Sequence, residues 1–302
     1  MLTVTQAGEI HLYNAATGMD LGLLSGRGSY AQAAWGEVGG HTVVLTFAVD
    51  KPPELWDAQR QSVVATYGTD PSRGAALSSD GRYVVSLEYV NALRSHRLSV
   101  WDAGSGRLLQ RSEAVGTDTS VAGFAGTDAT QIVFSTIRKG ALRWHLMTWD
   151  WQKGPSALRT FSGESQKPDM VVVSKDGRLV AAPLDNRIHV FEAETGKLVG
   201  KTADEPDWVN AAISFSPDGR LIATNSDDGH AQLWLSEQIS KSPVAELLGH
   251  DGAITDVRFD PASDWRLTTA GHDGTVRVWQ LPERTVLPSS GGSILGAELS
   301  RD

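Results

Sequence analysis

The chain has 302 residues with 27 basic and 36 acidic side chains, a net charge of −9, and no cysteine. An acidic chain without a run of five lysines and arginines lacks the footprint a phosphate backbone requires, so a nucleic acid partner is excluded. Disulfides, thiolate zinc sites and cysteine nucleophiles are ruled out; no apolar run approaches membrane-spanning length, so a cytoplasmic chain with no membrane partner is expected.

Strand-like alternation begins almost at the first residue. Met1 to Asn14 reads as a second and a third strand around a turn at Gly8, and Thr17-Gly18 turns the chain into a fourth. Trp35 falls at an apolar first-strand position and is expected in the core. Leu55-Trp56-Asp57 closes the next third strand, preceded by Asp50-Lys51-Pro52-Pro53. Ser79-Asp80-Gly81-Arg82 is a hairpin turn, and Tyr89 to Arg97 is a longer stretch before Val100-Trp101-Asp102. Arg138-Lys139-Gly140 precedes Thr148-Trp149-Asp150, and Lys175-Asp176-Gly177-Arg178 repeats the hairpin turn ahead of Val190-Phe191-Glu192. The cleanest unit runs from Asn210 to Leu235: a strand to Phe215, a turn at Ser216 to Arg220, a strand to Thr224, a turn at Asp227-Asp228-Gly229 and a strand to Trp234. Asp-Gly between β-prone segments is a strong hairpin signal, because glycine takes positive φ without steric cost.

An aromatic therefore closes a short strand at positions 13, 56, 101, 149, 191, 234 and 279, in steps of 42 to 48 residues. A period of about 40–45 residues with four short strands per unit indicates an all-β propeller, here of seven blades in a single domain spanning residues 1–302. Residues 294–302 read as a first strand whose partners lie at the N-terminus. The ring is thus expected to close by a C-terminal strand joining three N-terminal strands in one blade. Blades two to four are expected to carry long, irregular connections between their second and third strands, and blades five to seven short ones.

The last unit, Gly249-His250, Val257-Arg258-Phe259, Leu267-Thr268-Thr269, Asp273-Gly274-Thr275 and Val276-Arg277-Val278-Trp279, resembles the WD40 repeat, and the resemblance spans essentially the whole chain. It implies a seven-bladed β-propeller with a buried hydrogen-bonded tetrad, carried here by His250, Thr269, Asp273 and Trp279. The match to the repeat is complete only in this unit. Tyr13 and Phe191 replace tryptophan, and the sixth unit keeps Thr224, Asp228 and Trp234 without a matching histidine.

Reactive constellations are missing from the sequence. There is no metal-ligand histidine spacing, no EF-hand loop, no phosphate-binding Gly-Lys-Ser/Thr and no nucleophile elbow. No catalytic residue, metal or cofactor is expected, and the aspartates read as turn caps. Trp144, Trp151, Trp208 and Trp265 lie off the repeat positions, and aromatics outside a core favour interfaces. With Trp208, the residues leading into the first strands form a candidate binding rim: Arg73, Ser120, Asp169, Asn210 and Thr255. The resemblance implies a non-enzymatic scaffold presenting one face to a peptide or protein partner. The alternatives are a sensor or autoinhibitory propeller covalently linked to further domains in a larger bacterial signalling or defence NTPase or kinase, since the chain stops at Asp302 where the repeat continues with glycine, and a propeller hydrolase or lactonase.

Overall fold

The computed structural model describes residues 2–4, 9–13, 19–25, 32–126, 128–138, 140–161, 168, 170–203, 212–226, 228–239, 242–260 and 263–281. Within them, strands pair antiparallel into seven sheets, and helix is limited to three single 3₁₀ turns. Each sheet is a meander whose strands pair in chain order. Blade one holds Leu2–Val4, Ile10–Tyr13 and Asp20–Ser25; blade two runs from Gln32–Val38 to Ser62–Thr66. Blade three holds Ser72–Leu77, Tyr83–Val90, Ser95–Asp102 and Leu108–Gly116, and blade four Thr119–Ala125, Gln131–Thr136, His145–Asp150 and Leu158–Thr160. Blades five and six run from Val172–Val173 to Leu198–Lys201 and from Ile213–Phe215 to Ala245–Leu247. Blade seven holds Ile254–Phe259, Arg266–Gly271 and Val276–Gln280. From blade two to blade seven, the first strands of successive blades touch one another, so they are the inner strands of a β-propeller.

The core lies between blades rather than within them. Six apolar clusters fill the six successive gaps from blade one to blade seven; Leu98, Val100, Phe134, Met147 and Trp149, for example, pack between blades three and four. A strand alternates its side chains between two faces, so each blade feeds both its neighbours. The seam between blades seven and one differs. Val276 and Val278 in the third strand of blade seven are 68% and 67% exposed, whereas Ala231 and Leu233, their equivalents in blade six, are 0% and 4% exposed. The expected closing strand at 294–302 lies outside the described residues.

The turn between first and second strands is built identically three times. Ser78, Ser174 and Ser216 each donate a hydroxyl to Asp80, Asp176 or Asp218 at 2.6 Å and accept the N–H of Tyr83, Leu179 or Leu221 at 2.9 Å. Side chains that satisfy the turn's own backbone explain why this sequence recurs.

Three expectations are corrected. Blade two has no long second-to-third connection: Ala48 pairs with Lys51 across a two-residue turn, and Pro52-Pro53 lie inside the third strand. In blade three the stretch from Tyr89 is mostly strand, leaving only Asn91–Leu93 and Arg94 as the connection. Blade four alone keeps a long one, residues 137–144. Trp35 is not core. It is 46% exposed, on the inner strand of blade two. It pairs with Val44, which faces the blade-one cluster. That cluster draws on the third and outer strands of blade one through Ile10, Leu12 and Leu24.

Candidate functional site

Meander topology sorts the connections onto two ends. The Ser-x-Asp-Gly turns and the third-to-fourth-strand turns share one end, here the turn face. The second-to-third connections and the segments leading into each inner strand share the other, the loop face.

Four polar residues form a chain in blade seven. Asp273 carboxylate oxygens stand 2.9 and 3.1 Å from His250 Nδ1, His250 Nε2 stands 2.7 Å from Thr269 Oγ1, and the Trp279 indole N–H donates to that hydroxyl at 2.9 Å. The Asp273 carboxylate also accepts the N–H groups of Thr275 and Asp251. With the Thr275 N–H as the largest influence, these bonds hold its carboxyl far below the usual carboxylate range. The His250 side chain is fully buried. A histidine committed at both ring nitrogens to structural partners is positioned as scaffold, with no free nitrogen for proton transfer.

The same relation runs round the molecule and is edited blade by blade. Trp56, Trp101 and Trp234 donate to Thr46, Ser86 and Thr224 at 3.1, 2.9 and 3.0 Å. In blade four Phe134 occupies the hydroxyl position, and the Trp149 indole turns instead to the Gly154 carbonyl at 2.9 Å. In blade five the aromatic is Phe191 and the hydroxyl position is Ala182, two residues after its pairing partner Val180, so donor and acceptor are both missing. Each of these indole donors keeps an acceptor, as burial requires. Blade three has no tetrad histidine; there the buried Glu88 is paired with Arg97 at 3.3 Å and Arg111 at 3.7 Å.

Of the rim expected from sequence, Arg73, Ser120 and Thr255 are exposed on the loop face, while Asp169, Trp208 and Asn210 lie outside the described residues. The strand registers make Leu77, Phe124, Val173, Phe215 and Phe259 equivalent. Arg73, Ser120, Asp169 and Thr255 thus stand four residues before that position, and Asn210 five. The one-residue difference matters, because Ser72, Thr119 and Ile254, just before the exposed three, are buried. Trp144 and Trp151 are buried, each 8% exposed, and are not interface residues. Trp151 donates to the Ala129 carbonyl at 2.9 Å and meets Tyr83 edge-on. Trp265 packs against the core between blades six and seven.

The loop face of blades three and four holds residues that motif reading missed. Arg94, Arg138 and Arg143 are exposed there beside Arg73, and so are Tyr89 (47%), Leu93 (57%) and Leu142 (95%). Arg94 adopts φ +48, a left-handed conformation that costs a side-chain-bearing residue about 1–2 kcal/mol. The two loops are tied through the end of blade three. Ser95 Oγ donates to the Gly116 carbonyl at 2.9 Å, the Thr117 N–H donates to the Ile137 carbonyl at 3.0 Å, and the Ile137 N–H donates to the Asp118 carbonyl at 2.9 Å. Beneath lies His96, 3% exposed, stacked edge-on with Tyr89 at 5.2 Å and with neither ring nitrogen in hydrogen-bond geometry. Burial lowers its pKa, with the nearby Gly116 backbone opposing. The signal was their position in the two stretches where the repeat breaks, not a motif.

The family model "WD domain, G-beta repeat" matches residues 196–234 and 241–280. The chain carries WD40 repeats over these residues. Similar proteins include the ribosome biogenesis protein WDR12 homolog of Nematostella vectensis, 24% identical over 78% of this chain and 62% of that protein. WD repeat-containing protein 55 of Rattus norvegicus is 32% identical over 46% and 36%, and protein groucho of Drosophila melanogaster 23% over 76% and 30%. The chain thus spans less than two thirds of the length of these relatives.

On the turn face of this WD40 propeller, a cleft of about 530 Å³ opens between blades four and five, lined by Asp128, Gln131, Asp150, Lys153, Arg159 and Glu194. Within it Lys153 pairs with Asp150 at 2.8 Å, and Arg159 donates to the Glu194 backbone carbonyl. Among the described residues no three histidine, aspartate or glutamate side chains gather to hold a metal ion, and no helix is long and apolar enough to cross a membrane.

Proposed function

We propose that this WD40 propeller is a non-enzymatic interaction scaffold that presents its loop face to a protein or peptide partner. The observation that carries it is the contrast between the two ends. On the turn face the polar groups close on each other through the repeated serine–aspartate turns. On the loop face Arg73, Ser120 and Thr255 project into solvent from rigid inner strands. Exposed residues held by a rigid scaffold are where recognition is usually placed. The relatives named for ribosome biogenesis and the groucho protein support a scaffold role through their shared repeats, by analogy of fold. The cytoplasm is the proposed compartment, since a chain without cysteine draws no stability from an oxidising one.

The test is co-purification from the native host with the wild-type protein and with an Arg73→Ala, Trp208→Ala double variant. The variant is expected to lose the partner at an unchanged melting temperature. Full retention of the partner overturns the assignment of the face.

A further inference from the structure

We propose that the loop face of blades three and four is a docking surface for an acidic peptide segment carrying an apolar side chain. The inference rests on the scaffold reading above and names the chemistry of its partner.

Four arginines from distant parts of the sequence lie on the loop face of these two adjacent blades: Arg73 near the start of the inner strand of blade three, Arg94 in its second-to-third connection, and Arg138 and Arg143 in the corresponding loop of blade four. Elsewhere several exposed arginines are matched, Arg82 to Asp80, Arg178 to Glu237 and Arg258 to Asp256, at 2.6, 3.2 and 3.1 Å, while Arg107 and Arg159 on the turn face are exposed without a carboxylate partner among the described residues. The loop-face four are exposed and enter no ion pair among the described residues. Only Asp70 and Asp118 stand on the same segments, so a chain of net charge −9 carries a locally basic rim. Unpaired guanidiniums on one face of two adjacent blades offer an anionic partner charge-assisted hydrogen bonds.

The apolar component sits among the charges. Leu93 and Leu142 are 57% and 95% exposed at the tips of the same loops, and Tyr89 lies at the base of one. Exposed leucines flanked by arginines match a segment that alternates carboxylates with an apolar anchor. A phosphate backbone offers no group for the leucines, and a single tyrosine is not the run of stacking aromatics that single-stranded nucleic acid uses. The loops are also pre-positioned: the 116–118 segment bonds to both, so the arginines do not need to be gathered on binding.

Fluorescence anisotropy with a labelled peptide of glutamates flanking two leucines tests this on the full chain, beside the same peptide with lysine for glutamate and a single-stranded oligonucleotide of equal charge. The glutamate peptide is expected to bind and the lysine peptide not to bind. Arg143→Glu and Leu142→Ser, both at exposed positions, should each weaken binding, and the double variant by about tenfold or more. Arg94→Gly separates recognition from structure, since it relieves the left-handed strain: it should raise the melting temperature while weakening the peptide. Indifference of the peptide to these variants, no binding by the wild type, or tighter binding of the oligonucleotide overturns the proposal. Such a failure leaves the scaffold reading standing if the host partner is still lost in the Arg73→Ala, Trp208→Ala variant; loss of both readings requires that partner to be retained.

Discussion

Trp149 donates its indole N–H to the Gly154 carbonyl because Phe134 stands where four other blades place a serine or threonine hydroxyl. The exchange shows that the aromatic is held by burial first and by its hydrogen bond second, and that the bond is re-routed when its usual acceptor is replaced.

Burial therefore decides the cost of removing each aromatic. Trp234 is 1% exposed, whereas Trp279 borders the open face beside Val278 and is only half-buried. Trp234→Ala should destabilise by about 3–5 kcal/mol and Trp279→Ala by distinctly less. Urea denaturation of the two variants reads the difference, and equal losses would contradict it.

Thr269 Oγ1 accepts the Trp279 N–H at 2.9 Å and stands 2.7 Å from His250 Nε2. Thr269→Val keeps its shape and leaves the Trp279 N–H without its acceptor, at about 1–3 kcal/mol. A melting temperature equal to wild type would show that the polar chain in blade seven contributes nothing.

Glycine substitutions should split by surroundings. Gly81 has φ +71, and a methyl there would stand 1.9 Å from the Glu37 carbonyl oxygen of blade two; Gly274 has φ +74 with nothing within 4 Å. Gly274→Ala is expected to cost about 1–2 kcal/mol from backbone strain alone, and Gly81→Ala clearly more, because blades two and three must separate. Chemical denaturation of both variants measures the gap.

Stability should fall on acidification in two stages. His96 is buried and His189 half-buried, and both are held below their ordinary value of 6.5 chiefly by desolvation. The unfolded chain then takes up protons first, so stability drops as pH falls through about 6.5. Asp273 is depressed below its ordinary 3.8, foremost by the Thr275 N–H, so its contribution is intact above that value and is lost below it. Melting temperatures across pH in wild type and His96→Gln test the first stage; the variant should show a shallower slope between about pH 7 and 5.

The seven-fold repeat, the hairpin turns and the positions of Thr269 and Trp279 were legible in the sequence because each rests on local chemistry: an aromatic at a fixed strand position, or a serine and aspartate satisfying their own turn. Trp35, Trp144 and Trp151 were misread because their burial depends on which neighbouring blade covers them, which no local pattern encodes. The loop-face arginines were invisible as a group since they come from positions 73, 94, 138 and 143 and share a face only through the fold. The ring closure proposed for 294–302 remains a prediction about the seam: deleting those residues should lower the melting temperature, and no change would refute it.

The central claim is that partners dock on the loop face. Amide hydrogen exchange of the full chain, alone and with the partner captured from its host, tests it most directly. Protection is predicted at 91–94, 116–120 and 137–144, with the turns at 78–82, 174–178 and 216–220 unchanged. Protection confined to those turns would contradict it.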